Sequence, residues 1–297
     1  MHAAVKSQES DRMIYSDLGR DSVDDLPKGA RERWAPLRWA PLRRAVVPVV
    51  VIVVWAFISS LHFIDPIFLP SPADLLTAFN TLSPLLPGAF VSSVSMTLGG
   101  FLGGTAFGVL IGLVMAYSKN FRITFGGILD FLRPVPVFAL IPLFVLWFGL
   151  GKTPQISLII LGTSVILGLT TIEAVKNVPQ VFVRAALVLG ANRWTIYRSV
   201  IVPSILPHML GAIRVAGAAC WGLDVAAEYI GAQTGLGHLM IVREQYLDTA
   251  SIILIVIIYS GLALGLDFII RLVERPLTRW TERSIRRGIV ASIVGSA

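Results

Sequence analysis

Charged side chains are scarce in this sequence. They make up 14% of its 297 residues, whereas soluble domains carry about 25%. Hydrophobic residues reach 55%, and the mean hydropathy is +0.76. So few charges exclude a surface that faces water on all sides, and several apolar runs approach the roughly 20 residues that cross a bilayer. The composition therefore predicts a membrane protein.

Cysteine is almost absent as well. The chain has one, Cys220, which excludes an internal disulfide and a cysteine-rich metal site. The four histidines, His2, His62, His208 and His238, are isolated from one another. None has the spacing of a metal site or of a nucleophile with its base. We therefore expect no catalytic residue, no metal and no cofactor bound by this chain.

Six apolar segments predict an all-α polytopic membrane protein with about six transmembrane helices. The expected spans are residues 45–64, 88–118, 125–149, 154–172, 205–230 and 251–272. Pro134, Pro136 and Pro142 interrupt the third span and predict a kinked or broken helix.

Two local patterns refine this prediction. Ser71-Pro72-Ala73-Asp74 is typical of a helix start, with Ser71 as N-cap and Pro72 at the first helical position. It predicts a short helix on the outer surface. In the second span, glycines recur every fourth residue from Gly100 to Gly112, a spacing that lets helix backbones pack closely in lipid.

The distribution of Lys and Arg predicts the orientation. With the N-terminus inside, twenty-one of them fall on the cytoplasmic side and two, Lys152 and Arg243, on the other. We therefore expect both termini in the cytoplasm. Because these residues flank apolar runs, the net charge of +7 indicates membrane orientation and not nucleic-acid binding.

The boundaries follow from the same patterns. Residues 1–44 are expected to be a polar cytoplasmic tail that ends in a tandem Trp/Arg repeat, residues 33–37 and 38–42. Its composition does not suit a secretory signal, and it reads equally well as a tether or as a lipid-binding element. Residues 45–280 form the transmembrane domain, and residues 281–297 a cytoplasmic tail.

A longer polar segment, residues 173–203, lies between the fourth and fifth spans. Phe182, Ala185, Ala186 and Leu189 form one apolar face, and Gly190 suits a left-handed helix end. Two short amphipathic helices are expected to meet at this glycine. From these residues alone, the piece could dock in a groove of a soluble partner or rest on the lipid surface.

The same segment resembles the cytoplasmic loop of ABC importer permeases, which has the form Glu-Ala-Ala, three residues, Gly, nine residues, Ile, one residue, Leu-Pro. Four positions match in register: Ala185, Ala186, Gly190 and Pro203. Arg184 stands where the family usually has glutamate, which puts one polar contact in doubt. The resemblance implies that the ATPase-coupling residues are Arg184, Ala185, Ala186, Gly190, Arg193 and Pro203.

The resemblance covers about residues 45–280 and extends to the permeases of sulfonate, taurine and nitrate importers. It is carried by residues 68–72, 132–136, 141–143, 146–151, 227–231, 235–237, 267 and 274–280. It implies the type I ABC importer permease fold and uptake of a small solute of that class. It also implies residence in the bacterial inner membrane.

Three kinds of partner protein are implied by this resemblance. They are a second permease copy, expected as a homodimer, two ATPase subunits on the inner face, and an external solute-binding protein. The chain lacks the Gly-x-x-x-x-Gly-Lys-Ser/Thr phosphate-binding motif. ATP would therefore be used by the partner subunit, and this chain is not expected to be an enzyme.

Charged residues within spans are candidates for the substrate pathway. Arg214, Trp221, Asp224 and Glu228 share one face of the fifth span, together with Gly217. That face could line a path or form structural ties within the subunit. Two ionised carboxylates would repel an anionic solute unless they are paired or protonated, so a zwitterion, a neutral heterocycle or an anion handled only transiently stays open.

Three other functions remain compatible with a polytopic protein. A secondary transporter would need a coupling-ion site and usually an internal repeat, and no convincing repeat is visible. A membrane enzyme and a structural membrane protein, neither coupled to an ATPase, are the other two. Dependence of uptake on ATP and a partner ATPase would separate these classes.

In the third segment, Asp130 and Arg133 are expected to pair with each other or to cap the broken helix.

Overall fold

The computed structural model describes residues 40–61 and 64–278, and these contain helices and no strand. The all-α prediction is therefore confirmed. Most of the predicted N-terminal tail with its Trp/Arg repeat, and the predicted C-terminal tail, lie outside the described residues. The chain divides into two units, one ending at Ile58 and one beginning at Ser59.

The first unit contains most of helix α1 (Ala40–Ser60). This helix begins five residues before the predicted start, so Pro48 lies inside it and not in its first turn. Side chains from Val46 to Val54 are exposed and almost all are valine or isoleucine. Such a surface is suited to lipid, where no hydrophobic penalty opposes exposure.

The second unit contains the other helices. In chain order these are α2 (Pro72–Leu82), α3 (Leu86–Tyr117), α4 (Lys119–Leu132), a 3-10 turn (Val137–Leu140), α5 (Ile141–Phe148), α6 (Lys152–Lys176), α7 (Gln180–Val188), α8 (Arg193–Ile196), a π turn (Tyr197–Ile201), α9 (Val202–Gly231), α10 (Leu236–Gln245) and α11 (Thr249–Leu277). Its core lies where α9 packs against α6, α3 and α11.

Four helices among the described residues are long and apolar enough to span a membrane: α3, α6, α11 and the continuous helix from Arg193 to Gly231. The bent pair of α4 with the 3-10 turn and α5 would make a fifth. The apolar part of α1 whose side chains are described, Val46–Ser60, is shorter than a full span. The count of about six thus requires both the bent pair and α1 to cross.

Helix α2 starts as the sequence predicts. Ser71 is its N-cap and forms a reciprocal capping box with Asp74. The Asp74 N–H donates to Ser71 Oγ at 3.3 Å, and the Ser71 N–H donates to Asp74 Oδ2 at 2.7 Å. Two backbone donors without helical partners are satisfied in this way, and α2 packs against α11 through its buried side.

The glycine series of α3 packs directly on α6, as the spacing predicts. A Cβ atom on Gly104 would lie 2.6 Å from Thr163 Cβ, and one on Gly108 would lie 2.6 Å from the Ser164 carbonyl oxygen. These distances leave no room for a methyl group. The two backbones are therefore close because these positions lack a side chain.

The third span is broken, as its prolines predict. The axes of α4 and the following helical segment differ by 92°. Arg133 is the C-cap of α4, and its N–H donates to the Leu129 carbonyl at 3.0 Å, so the expectation that it caps the broken helix is confirmed. Its side chain pairs with Glu173 of α6 and not with Asp130, the Nη2 atom lying 3.9 Å from Glu173 Oε1.

Candidate coupling surface and buried polar cluster

A short amphipathic helix, α7, follows α6 and ends at a glycine. Gly190 has φ +77°, in the left-handed region. Its N–H donates to the Leu187 carbonyl at 2.9 Å, and the Ala191 N–H donates to the Ala186 carbonyl at 3.0 Å. This is the Schellman arrangement, which satisfies carbonyls at the helix end. The turn expected from the sequence is present.

The next helix is continuous with α9. Asn192 caps α8, its Oδ1 atom accepting from the Thr195 N–H at 2.8 Å. The second of the two short helices expected from the sequence is therefore not a separate element, because the π turn leads straight into α9. In that turn the Val202 N–H reaches the Tyr197 carbonyl. The wider spacing falls just before Pro203, which has no N–H of its own to donate.

The π turn is attached to the end of α3. The Tyr197 hydroxyl donates to the Leu113 carbonyl at 2.5 Å. Its ring also meets Tyr117 edge-on, with centroids 5.1 Å apart, and Tyr117 makes a similar contact with Trp194. A force applied to the segment after Gly190 would therefore reach both α3 and α9.

Apolar side chains of α7 face the start of α9 across an open groove of about 790 Å³. We call it the coupling groove. The groove is lined on one side by the predicted apolar face, Phe182, Ala185, Ala186 and Leu189, and Pro203 lies on the opposite wall. Leu189 remains 86% exposed in the single chain. An apolar face so exposed is typical of a surface that another protein covers.

The surroundings of this groove are basic. Lys176, Arg184, Arg193 and Arg198 belong to the segment, and the sequence has no acidic residue from 174 to 223. Arg184 and Arg193 are exposed and are not among the residues that line the groove; Arg184 directly precedes Ala185, and Arg193 begins α8. The predicted coupling residues thus divide into an apolar lining, a glycine turn and two exposed arginines.

Arg214 lies in an ion-pair network between α9 and α11. Its Nε atom is 2.9 Å from Asp267 Oδ1, and its Nη1 atom is 3.5 Å from Glu274 Oε2. Arg271 reaches the other oxygen of Asp267 at 2.7 Å. Arg214 is therefore engaged by acids of its own subunit and does not stand free for a solute.

Farther along α9, Glu228 is fully buried within a set of hydrogen-bond donors. Ser93 Oγ donates at 2.7 Å, the Gly237 N–H at 2.6 Å and the Tyr259 hydroxyl at 3.1 Å. Ser93 also accepts from the Leu236 N–H at 2.8 Å. Glu228 thus joins α3, α9, α11 and the first turn of α10. We call Ser93, Asp224, Glu228, Gly237 and Tyr259 the buried polar cluster.

The loop before α10 fits tightly over this carboxylate. Gly235 has φ +124°, and a Cβ atom there would overlap the Glu228 carboxyl group. Because Gly235 has no side chain, the backbone amide of Gly237 can reach the Glu228 carboxylate. Asp224 lies one turn away and is also fully buried, with its Oδ2 atom 3.3 Å from the Tyr259 hydroxyl.

The predicted pathway stripe therefore points into its own subunit. Trp221, Asp224 and Glu228 are all buried in the single chain, and Trp221 packs edge-on against Tyr259. Their contacts agree with the alternative of structural ties and not with a face turned toward a partner copy. Direct contact of these side chains with the solute remains a prediction, and their burial does not favour it.

Sequence reasoning missed the partners of these charges. Ser93, Tyr259 and Asp267 lie on other helices, and nothing in their spacing connects them with α9. Gly237 could have been found, because a buried glutamate needs donors and a Gly-x-Gly turn supplies amides that approach closely. The described residues contain no group of three His, Cys, Asp or Glu side chains that could hold a metal ion.

The sequence has well-defined relatives. It is 32% identical over 240 residues to the taurine transport system permease protein of Escherichia coli, covering 78% of this chain and 86% of that protein. It is 31% identical over 237 residues to the putative aliphatic sulfonates transport permease protein of Bacillus subtilis, covering 79% and 86% of the two chains.

The fold also matches known permeases. A chain of a methionine ABC transporter, solved in inward-facing conformations, superposes with a TM-score of 0.59 at 18% identity, covering 67% of this chain and 98% of that chain. The family model described as binding-protein-dependent transport system inner membrane component matches residues 104–279. The chain belongs to this family and is an inner-membrane permease subunit of an ABC importer.

Proposed function

We propose that this permease imports a small sulfonate, with taurine as the first compound to test. Two relatives that match over most of their length are named for taurine and for aliphatic sulfonates. An external binding protein would deliver the solute, as the family description implies. ATP would be hydrolysed by separate subunits, so the chain itself is not an enzyme and needs no cofactor of its own.

The observation that carries the coupling role is the exposed apolar groove beside the Gly190 turn. In each of the two permease copies, one ATPase subunit would cover this groove. Because Arg184 and Arg193 are exposed in this segment and it has no acidic residue from 174 to 223, the ATPase surface should be acidic there. An arginine in place of the usual glutamate at position 184 would then select the cognate ATPase by charge.

The solute path would lie between two copies of the chain, proposed as a homodimer. Asp224 and Glu228 are enclosed by helices of their own subunit, so their charges do not face that path. In this proposal α9 forms one wall of the pathway. Four of its own side chains hold it in position within the subunit: Arg214, Trp221, Asp224 and Glu228. The carboxylates would then not repel an anionic solute, which removes the main objection to a sulfonate.

ATP-dependent uptake tests the proposed function. The full chain, co-purified with its ATPase and placed in liposomes with the binding protein, should accumulate radiolabelled taurine only when ATP is supplied to the ATPase side. Uptake that continues without ATP and follows an ion gradient would indicate a secondary transporter. An assembled complex that hydrolyses ATP but accumulates no taurine or other small sulfonate would exclude this substrate class.

Both termini should be cytoplasmic if the basic residues set the orientation. Cysteine variants test this, since Ala73 and Ser199 are both exposed and the single native Cys220 is fully buried. An impermeant maleimide added to whole spheroplasts should label the Ala73→Cys variant and should label Ser199→Cys only after lysis. Labelling of both from the same side would contradict the topology.

Gly190→Val should uncouple the ATPase while leaving the subunit inserted. No atom lies within 4 Å of a Cβ added at Gly190, so the penalty comes from the positive φ, which costs an L-residue about 1–2 kcal/mol and a β-branched one more. We expect solute-stimulated ATP hydrolysis to fall. Gly211→Val, where the added Cβ is also unhindered and no positive φ applies, is the matched control. Wild-type stimulation in the Gly190 variant would argue against this role.

A further inference from the structure

A second cavity lies at the opposite end of the helices from the coupling groove. It has a volume of about 400 Å³, and its walls come from the start of α3, the start of α6 and the turn between α9 and α10. Its polar lining is formed by Ser92, Lys152, Gln233, Thr234 and His238. The coupling segment follows the far end of α6, which has 25 residues and is therefore about 37 Å long.

The lining favours an anion. Lys152 is exposed and has no ion-pair partner within residues 40–61 and 64–278, and no acidic side chain lines the cavity. Ser92 and Thr234 hydroxyls meet at 2.9 Å on its wall. One of these hydroxyls has a hydrogen left to donate to a ligand, because a single hydrogen serves their mutual bond.

Two long helices add to the positive character of this cavity. α3 and α6 both begin at its edge, and neither has a side chain that caps its first turn. Their free N–H groups and aligned dipoles favour negative charge. The carboxylate of Glu228 lies directly behind Gly235 of the lining and already accepts three hydrogen bonds.

From this cavity, Lys152 and its hydroxyl neighbours, we infer an entry subsite for a small oxyanion of the sulfonate class, used before the solute passes between the two copies. The inference rests on the proposed function for the identity of the solute. A volume of about 400 Å³ falls at the small end of ligand pockets, which span about 300–1,000 Å³. Lys152 would hold the charge, while Ser92 and Thr234 would orient the sulfonate oxygens.

Protection from labelling tests the subsite directly. Gln233 lines the cavity and is exposed, so a Gln233→Cys variant of the full complex can be labelled there with a maleimide. Methanesulfonate should slow this labelling, whereas dimethyl sulfone, which has the same shape but no charge, should not. An Ala73→Cys variant, outside the cavity, should be unaffected by either compound.

Charge variants at Lys152 then give the size of the effect. In the Gln233→Cys background, Lys152→Gln should raise the methanesulfonate concentration for half-protection about five-fold, as expected for one partly exposed charge. Lys152→Arg should keep protection near the parent value. Lys119→Gln, which removes a lysine at the start of α4, should have no effect. In uptake assays Lys152→Gln should raise KM more than it lowers kcat.

Three results would overturn the inference. Equal protection by the two probes, or unchanged protection in Lys152→Gln, would show that the cavity does not select an anion. Loss of stimulation by the binding protein, with methanesulfonate protection unchanged, would indicate that Lys152 receives an acidic side chain of that protein. Because protection needs no ATP, a wild-type complex that fails to import any sulfonate would reject the proposed function separately.

Discussion

Replacing Glu228 with alanine should sharply lower the amount of folded permease. The change leaves Ser93 Oγ and the Gly237 N–H without their acceptor, and the Tyr259 hydroxyl keeps only Asp224 Oδ2, at 3.3 Å. Each buried donor left unpaired costs about 1–3 kcal/mol, which together exceeds the roughly 1 kcal/mol of an ordinary substitution. The turn before α10 would also lose the group over which it is folded.

Size-exclusion profiles and thermal unfolding of the detergent-solubilised complex would measure this loss. Glu228→Gln keeps the side-chain volume and one acceptor oxygen, so it should fall between alanine and wild type. Glu173→Gln is the matched control, because Glu173 is 56% exposed and its pair with Arg133 is long, at 3.9 Å. Surface pairs contribute about 0–1 kcal/mol. If Glu228→Ala kept the wild-type yield and melting temperature and altered only uptake, Glu228 would be assigned to the solute path and not to a structural role.

Gly108→Ala should also destabilise the subunit, through a different mechanism. The added methyl would lie 2.6 Å from the Ser164 carbonyl oxygen and 2.7 Å from Ser164 Cα. Backbone atoms cannot rotate away as a side chain can, so α3 and α6 must separate. Overpacking of this kind costs about 1–3 kcal/mol, and here it acts on the most extensive helix pair of the fold.

The control lies on the same helix. A Cβ atom on Gly99 meets nothing within 4 Å, so Gly99→Ala should be neutral or slightly stabilising, since alanine favours helix by about 1 kcal/mol over glycine. Comparing the thermal unfolding of the two variants separates helix propensity from packing. If both variants behaved alike, the glycine series would not set the distance between α3 and α6.

These two sites differ in how much the sequence says about them. The glycine series could be found because its spacing places four small residues on one face, whichever helix packs there. The spacing does not say that α6 is the partner. For Glu228, the sequence shows only that a carboxylate lies within an apolar span, and both a pathway and a structural role satisfy that observation.

Local features were determined by the sequence itself. The capping box at Ser71, the break at the prolines of the third span and the left-handed turn at Gly190 all depend on neighbouring residues. Their causes are steric restriction and hydrogen bonds within a few positions, which the order of residues fixes. The family resemblance of the loop around Gly190 is local in the same sense.

The tertiary structure decided which way each charged face turns. Arg133 pairs with Glu173, Arg214 with Asp267, and Glu228 with donors from three other helices. It also carried the helix through Pro203 and gathered Lys152 with Ser92 and Thr234 around one cavity. A buried charge takes whichever partners the packed helices bring within about 3 Å, and those helices are distant in sequence. The sequence supplies the charged residues, but each one comes within reach of its partner only once the helices are packed together.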